Sequence, residues 1–374
     1  MARTAFRTAT DVFVIGGGPA GLAAAIAARQ RGLKVTLADG SAPPIEKPCG
    51  EGMSPETIAA LGALGVALNS SDGVPFRGIA FVQAGARVAA DFPQGPGLGM
   101  RRIALHESMV KRAQECGIQL LWRTPVIGIG PNEVQLSNGE TYATRWIIGA
   151  DGPGSRVRQW LGIQTRRMHR RFATRRHFNV APWSSYVEVH WGARAQAYVT
   201  PVATRETSVV ILGSRAEDTE FDRAIRDFPE VASRIAGTTL ASRERGAVTC
   251  QHELTAVHRG NAALVGDASG GVDAITGDGI RLSLRQAQAL AEALSENDLS
   301  LYARAHRKLA SGAMRAGTML LVLDRNPGLR ARILRALAAN PELFEELLAA
   351  HVGCAEHPSL VSTGAQLGWR LLAT

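Results

Sequence analysis

Gly16, Gly18 and Gly21 stand in the spacing GxGxxG, and Asp39 follows eighteen residues after the last of them. At a bound pyrophosphate each glycine has a mechanical job: a tight turn, close approach of backbone to phosphate, and close packing of helix on strand. The elements that must position them are legible. Asp11 to Ile15 is a short apolar run, an alanine-rich segment then runs through Pro19 and Ala20 to Arg31, and Lys34 to Ala38 is a second apolar run closed by Asp39 and Gly40. The pattern predicts strand, glycine turn, helix, strand. The helix N-terminus would face phosphates with its positive end, and Asp39 could accept ribose hydroxyls. Together these features point to a dinucleotide site rather than a purely structural glycine turn.

Four further stretches carry residue types suited to a bound cofactor. Trp146 to Ala150 reads as a buried strand that delivers Asp151 and Gly152, with Ser155 and Arg158 completing DGxxSxxR. Ala262 to Gly266 reads as another, ending in Gly266-Asp267, followed by Thr276-Gly277-Asp278-Gly279-Ile280 and a long helix to about Leu294. The run Arg101-Arg102-Ile103-Ala104-Leu105-His106 opens a helical segment. Lys47-Pro48-Cys49-Gly50-Glu51-Gly52 lies in a Pro/Gly-rich loop whose glycines allow close backbone approach to a ligand. No obvious acid–base pair is written in the chain.

Composition narrows the class. With 374 residues, 45% hydrophobic and 20% charged, the chain predicts an ordinary globular protein of two to three domains. Four widely spaced cysteines without a CxxC pair give neither a disulfide framework nor a metal site. No run approaches a membrane span and the first ten residues lack an apolar signal region, so the chain reads as cytoplasmic. The net charge is +9, and only four of the 42 basic residues are lysine. Six arginines and two histidines crowd into Arg166 to His177. No aromatic interleaving accompanies them, so nucleic acid is not expected; a solvated basic face, or a dock for an anionic cofactor, substrate or carrier, is.

Four strand-like runs, Arg171 to Phe178, Tyr186 to Trp191, Ala195 to Val202 and Ser208 to Leu212, predict an antiparallel sheet. Arg77 to Asp91 reads as a hairpin around Gly85, and Asn138-Gly139 as the turn of another. After Leu299 the pattern is helical, with stripes such as Leu329, Ile333, Leu334 and Leu337 that read as core or lid rather than membrane contact.

The ordered set of GxGxxG, DGxxSxxR and GD with its later TGDGI resembles the three fingerprints of the group A flavoprotein monooxygenase and geranylgeranyl reductase superfamily, over residues 11 to about 295. The resemblance implies an α/β fold: a Rossmann-type FAD-binding domain (glutathione-reductase-like, para-hydroxybenzoate-hydroxylase-like), an antiparallel β substrate domain and C-terminal helices. It implies that Asp267 bonds the ribityl chain of FAD, that Gly277 and Gly279 start a helix against the flavin, and that Arg102 reaches the ribityl and phosphate region. The Cys49 loop resembles the KPCGxG signature of the reductase branch, where it comes near the isoalloxazine. The strand Ala197-Tyr198-Val199-Thr200-Pro201 stands where relatives place a strand over the flavin, but departs from the reductases' YxWxFP; the halogenases' WxWxIP is absent too.

The resulting assignment is residues 8–75, 98–165 and 245–298 for the FAD-binding domain, 76–97 and 166–244 for the sheet, and 299–374 for the helical region. Site expectations are Cys49, His190, Trp191, Tyr198 and Pro201 around the substrate, with no metal. The cofactor contacts are Gly16, Gly18, Pro19, Ala20, Gly21, Asp39, Gly40, Arg102, Asp151, Gly266, Asp267, Gly277, Asp278, Gly279 and Ile280. One fingerprint leaves NAD(P)H to bind transiently, or a separate reductase or acidic carrier to supply electrons. The leading expectation is a monooxygenase hydroxylating a small aromatic or polyketide-type substrate. Reduction of a carbon–carbon double bond is the alternative, and halogenation or electron carriage comes third.

Overall fold

In the computed structural model, which describes residues 8–83 and 85–352, the strand Thr8–Ile15 is the axis of a mainly parallel sheet. Val12 faces Val35 of the strand Val35–Ala38 on one side and Trp146 of Thr141–Gly149 on the other, both in parallel register. Ala262–Leu264 and Gln119–Leu121 extend the sheet beyond them. A parallel sheet is covered on both faces, so its strands are apolar throughout rather than alternating. Val12, Phe13 and Val14 are accordingly fully buried. The helices Pro19–Gln30 and Gly279–Ser295 share one core with this sheet, and small residues such as Ala24 and Ala287 let them pack closely.

A seven-stranded sheet forms the second layer, in the order Arg245–Leu254, Thr165–Phe178, Glu206–Gly213, Ala195–Ala203, Tyr186–Trp191, Gly78–Gln83, Ala86–Asp91. Its pairings are antiparallel except that Tyr186–Trp191 runs parallel to Gly78–Gln83. The domain assignment needs one correction here. Arg245–Leu254 belongs to this sheet, with Val248 opposite Phe172, and not to the cofactor domain. The strand is exposed or half-buried along almost its whole length. Its sequence therefore lacks the apolar alternation that betrays a half-buried strand.

A small sheet of Gly52–Met53, Gly97–Met100 and Gly73–Phe76 joins the two layers. A side chain at Gly99 would put its Cβ 1.7 Å from the carbonyl oxygen of Pro201, so only glycine permits the contact. The chain then continues as helices Leu299–Arg325, Pro327–Ala338 and Pro341–His351. Asp298 caps the first by accepting from Ser300 N at 2.8 Å, and a proline opens each of the next two. Leu334, Leu337, Phe344 and Leu348 are buried with Val187, Val189 and Leu212 of the sheet. No helix among the described residues is long and apolar enough to cross a membrane. The last part of the expected helical region, 353–374 with Cys354, lies outside the described residues.

Candidate active site

One continuous cavity of about 1740 Å³ runs from the glycine turn to the space between the sheet and the C-terminal helices. Ligand pockets commonly measure about 300–1,000 Å³, so this one has room for more than one ligand. Its first half is backbone-rich. Gly16, Gly18, Pro19, Ala20, Asp39 and Gly40 line one end. Gly16 has φ +113°, and a Cβ there would lie 2.4 Å from the Ala150 carbonyl oxygen. Gly21 is off the wall: its own Cβ would meet Gly16 O at 1.8 Å, so it serves helix–strand packing. Asp39 accepts from Gly17 N at 2.7 Å and Ser41 N at 2.6 Å, bracing the turn from the neighbouring strand. His106, fully buried, bonds Gly17 O through Nε2 at 2.8 Å, while Ile45 N points at its Nδ1. Burial pushes its imidazole below its usual pKa. It is therefore a neutral brace of the same turn.

The middle of the cavity is bounded by Asp151, Arg102, Asp267 and the Cys49 loop. Asp151 accepts Arg156 N and Val157 N with one oxygen, while the other is buried without a partner. Nε of Arg102 is likewise buried and unpaired. Asp267 forms an ion pair with Lys47 at 2.8 Å. Desolvation raises its pKa, but the Lys47 ammonium and nearby Arg102 outweigh that and hold the carboxyl below its usual range. Gly266 N bonds Gln286 Oε1 at 2.9 Å, and Ser269 bonds both Gly266 O at 2.8 Å and His306 Nε2 at 2.9 Å. The acidic glycine loop is thus held from beneath. Gly277, Asp278, Gly279 and Ile280 line the cavity where the helix Gly279–Ser295 begins, and Asp278 is paired with Arg281 at 2.8 Å.

The second half is a chamber of different chemistry. Phe81, Val189, Val210, Leu212, Leu323 and Phe344 stand for a wall that is almost wholly aliphatic or aromatic. Tyr198 reaches it and donates to Ile275 O at 3.1 Å; burial pushes its phenol well above the usual pKa. Asp273, fully buried, accepts Ile275 N with Oδ1 and leaves Oδ2 unpaired.

Comparison with known proteins gives this geometry a context. The family described as FAD binding domain matches residues 9–300. The chain belongs to this family of FAD-binding flavoproteins. It is 28% identical over 326 residues to a menaquinone reductase of Mycobacterium tuberculosis, covering 78% of each chain. It is 27% identical over 322 residues to a digeranylgeranylglycerophospholipid reductase of Methanococcoides burtonii, covering 78% of this chain and 76% of that one. The solved p-nitrophenol 4-monooxygenase of Pseudomonas putida superposes with a TM-score of 0.78 at 18% identity, covering 92% of this chain and 98% of that one. That likeness shows the shared two-domain fold.

The flavoprotein's residues fit an FAD. The unpaired buried atoms of Arg102 and Asp151 offer a donor and an acceptor on the cavity wall. The backbone at Gly18, Gly277 and Gly279 is open, with nothing within 4 Å of where a Cβ would stand. Of the residues assigned to the substrate, Cys49 and Tyr198 line the cavity. His190 does not. It points to the outer face of the sheet, where it bonds Glu188 at 3.1 Å in a separate hollow with Arg87 and Trp183. Strand alternation sends Val187 and Val189 inward and Glu188 and His190 outward. Trp191 faces inward but is sealed from the cavity by Phe81 and the Arg330 guanidinium, 5.2 Å from its ring. Pro201 turns its carbonyl to Gly99 and is off the wall.

The basic segment also needs correction. Arg171 and Arg175 are buried: the first pairs with Asp324 at 3.0 Å, the second with Glu46 at 2.5 Å and Glu51 at 3.1 Å. Arg176 is held by Asp222 and Glu244. Only Arg166, Arg167 and Arg170 remain as an exposed face. Arg158 bonds Pro153 O at 2.8 Å and His252 at 3.1 Å. Sequence reasoning also passed over Lys47, Glu51, His306 and Gln286. For Glu51 the signal was present: an acid inside the loop, and Arg175-x-His177 on one face of a strand.

Proposed function

We propose that this FAD-dependent oxidoreductase reduces a carbon–carbon double bond in a long apolar substrate. The observation that carries the reading is the chamber: a wall of aliphatic and aromatic side chains that runs between the sheet and the C-terminal helices. Such a wall gains about 25 cal/mol per Å² of apolar surface it removes from water, and it offers a polar substrate little. Bound FAD supplies a two-electron hydride from its reduced ring. The chain's residues do the rest. The chamber excludes water and lays the double bond beside the cofactor cleft. Cys49, a proton-carrying side chain on the cavity wall, stands to return the proton that completes the saturated bond. NAD(P)H restores the reduced cofactor by a transient visit, because the fingerprint is taken.

The departure from YxWxFP carries less weight against this reading than the sequence suggests. Thr200 is turned away from the chamber and donates to Gly50 O at 2.7 Å. The relatives named menaquinone reductase and digeranylgeranylglycerophospholipid reductase cover most of this chain, which supports reduction. Hydroxylation of an apolar phenol is the second reading. It is favoured by the unpaired Oδ2 of buried Asp273, which could accept a phenolic O–H. A single experiment separates them: enzyme with NADH or NADPH and a polyprenyl quinone or alkylphenol, run with and without oxygen, products read by mass. Anaerobic gain of two hydrogens that survives reoxidation of any quinol to its quinone supports reduction of the double bond; a gain that reoxidation removes overturns it in favour of simple quinone reduction. Gain of one oxygen atom, seen only in air, overturns it in favour of hydroxylation.

A further inference from the structure

The loop Lys47–Gly52 carries Cys49 and Lys47 to the cavity, yet it has almost no regular structure of its own. Glu51 within it is in the left-handed region, φ +60°, unusual for a residue with a side chain. Its carboxylate is 1% exposed and accepts from three donors on two layers. Oε1 takes Arg102 N at 2.9 Å and Arg175 at 3.1 Å, and Oε2 takes His177 Nε2 at 2.6 Å. Arg101 also points an N–H at His177 Nδ1, 3.4 Å away. A carboxylate only accepts, so the bond to Glu51 places a proton on His177 Nε2, and Ser242 Oγ lies 2.6 Å from Nδ1. The other arm of Arg175 holds Glu46 at 2.5 Å, so one buried guanidinium grips the loop on both sides of Lys47–Gly50.

We propose that Glu51 is a positioning residue: with Arg175 and His177 of the substrate sheet it staples the Cys49 loop and the start of the helix Arg102–Glu115 into one fixed arrangement against the cofactor. The staple serves reduction and hydroxylation alike. A buried ion pair is weak evidence for stability, because desolvation offsets most of its attraction. What charged hydrogen bonds supply is direction, which an irregular loop does not get from a strand or helix ladder. Two more ties act at the same place. Glu51 O accepts Met100 N at 2.9 Å, and Thr200 of the sheet donates to Gly50 O at 2.7 Å. Glu51 N in turn points at Cys49 Sγ, 3.5 Å away, so freedom at Glu51 becomes freedom at the thiol.

The test is Glu51→Gln in the full chain. The amide keeps the shape but turns a donor toward donors. The reading is the rate of maleimide labelling at Cys49, mapped by peptide mass and divided by the rate at Cys116, in apoprotein and with FAD. Cys116 ends the helix Arg102–Glu115 and reports general loosening. The expected result is an increase of about tenfold in the Cys49 to Cys116 ratio, in apoprotein and with FAD alike. A folded variant with an unchanged ratio overturns the proposal. So does a parallel rise at both cysteines, which would mark ordinary destabilisation. Should Glu51→Gln fail to fold, Thr200→Val decides: it removes one tie and no charge. A raised ratio there supports the staple, and an unchanged ratio overturns it.

Discussion

The two halves of the cavity are built on opposite plans. The cofactor cleft is made largely of backbone: glycines at fixed spacings, carboxylates that brace turns, and a helix that begins at the wall. The substrate chamber is made of side chains, contributed by the sheet and the C-terminal helices and mostly apolar, with Tyr198, Asp273 and His351 among them. Backbone recognition fixes both residue type and spacing within a few positions, whereas an apolar wall asks only for bulk and leaves the type free. The cleft tolerates almost no change in type and the chamber almost no change in volume.

Substitutions at matched depth can break that contrast, and the largest effect is expected at Gly21. Gly21→Val drives a side chain into the backbone carbonyl of Gly16, 1.8 Å from its Cβ position. Neither partner can yield, because both belong to the strand–turn–helix unit. The protein should emerge without flavin and with a lowered melting temperature; a yellow, stable variant would show that the turn is not built as described. Leu212→Trp tests the other half. Leu212 is 2% exposed and on the chamber wall. Overpacking there costs about 1–3 kcal/mol of stability. Flavin content should stay at the level of the parent while turnover of a long apolar substrate falls by at least about tenfold, as expected when a pocket is filled. Equal loss of flavin would mean that the halves are not separable.

Asp267→Ala should act more gently and only on the cleft. Removing a charged hydrogen-bonding group costs about 1.5–3 kcal/mol, so FAD retention should weaken by about tenfold or more in equilibrium dialysis. Unchanged affinity would leave Asp267 as no more than the partner of Lys47.

The same contrast explains what was legible in the sequence. The parallel sheet, the helix Gly279–Ser295, the hairpin at Gly139 and the cleft residues were readable because local spacing specifies them. The chamber wall was not, since Phe81, Leu212, Leu323 and Phe344 come from four elements and each reads alone as ordinary core. The basic run misled for a related reason. Its charge count is local, but the acids that bury Arg171 and Arg175 lie far along the chain, at Asp324, Glu46 and Glu51. Nor could alternation alone say which face of Tyr186–Trp191 looks inward, so the candidates His190 and Trp191 came from opposite faces, and His190 lies on the outer one.

That misplacement gives the finest test, because it should have the smallest effect. Glu188 and His190 form a buried pair on the outer face, 8% exposed each, remote from the cavity wall. His190→Ala should leave turnover within about twofold of the parent at neutral pH, a change of less than about 0.5 kcal/mol. Acid stability should respond instead at Glu188. Desolvation raises its pKa, but bonds from His190, Trp183 and Ser184 outweigh that and hold it down at about 2, against 4.5 for an unperturbed glutamate. A carboxyl whose folded pKa lies below its unfolded value contributes stability above the unfolded pKa and loses it as pH falls toward the folded one. The parent should therefore lose stability between pH 4.5 and about 2 through this group, and Glu188→Gln should flatten that part of the acid melting curve. If His190→Ala instead lowers turnover tenfold or more, the outer hollow takes part in the reaction, and the division between a wall that does chemistry and a face that only holds the sheet would fail.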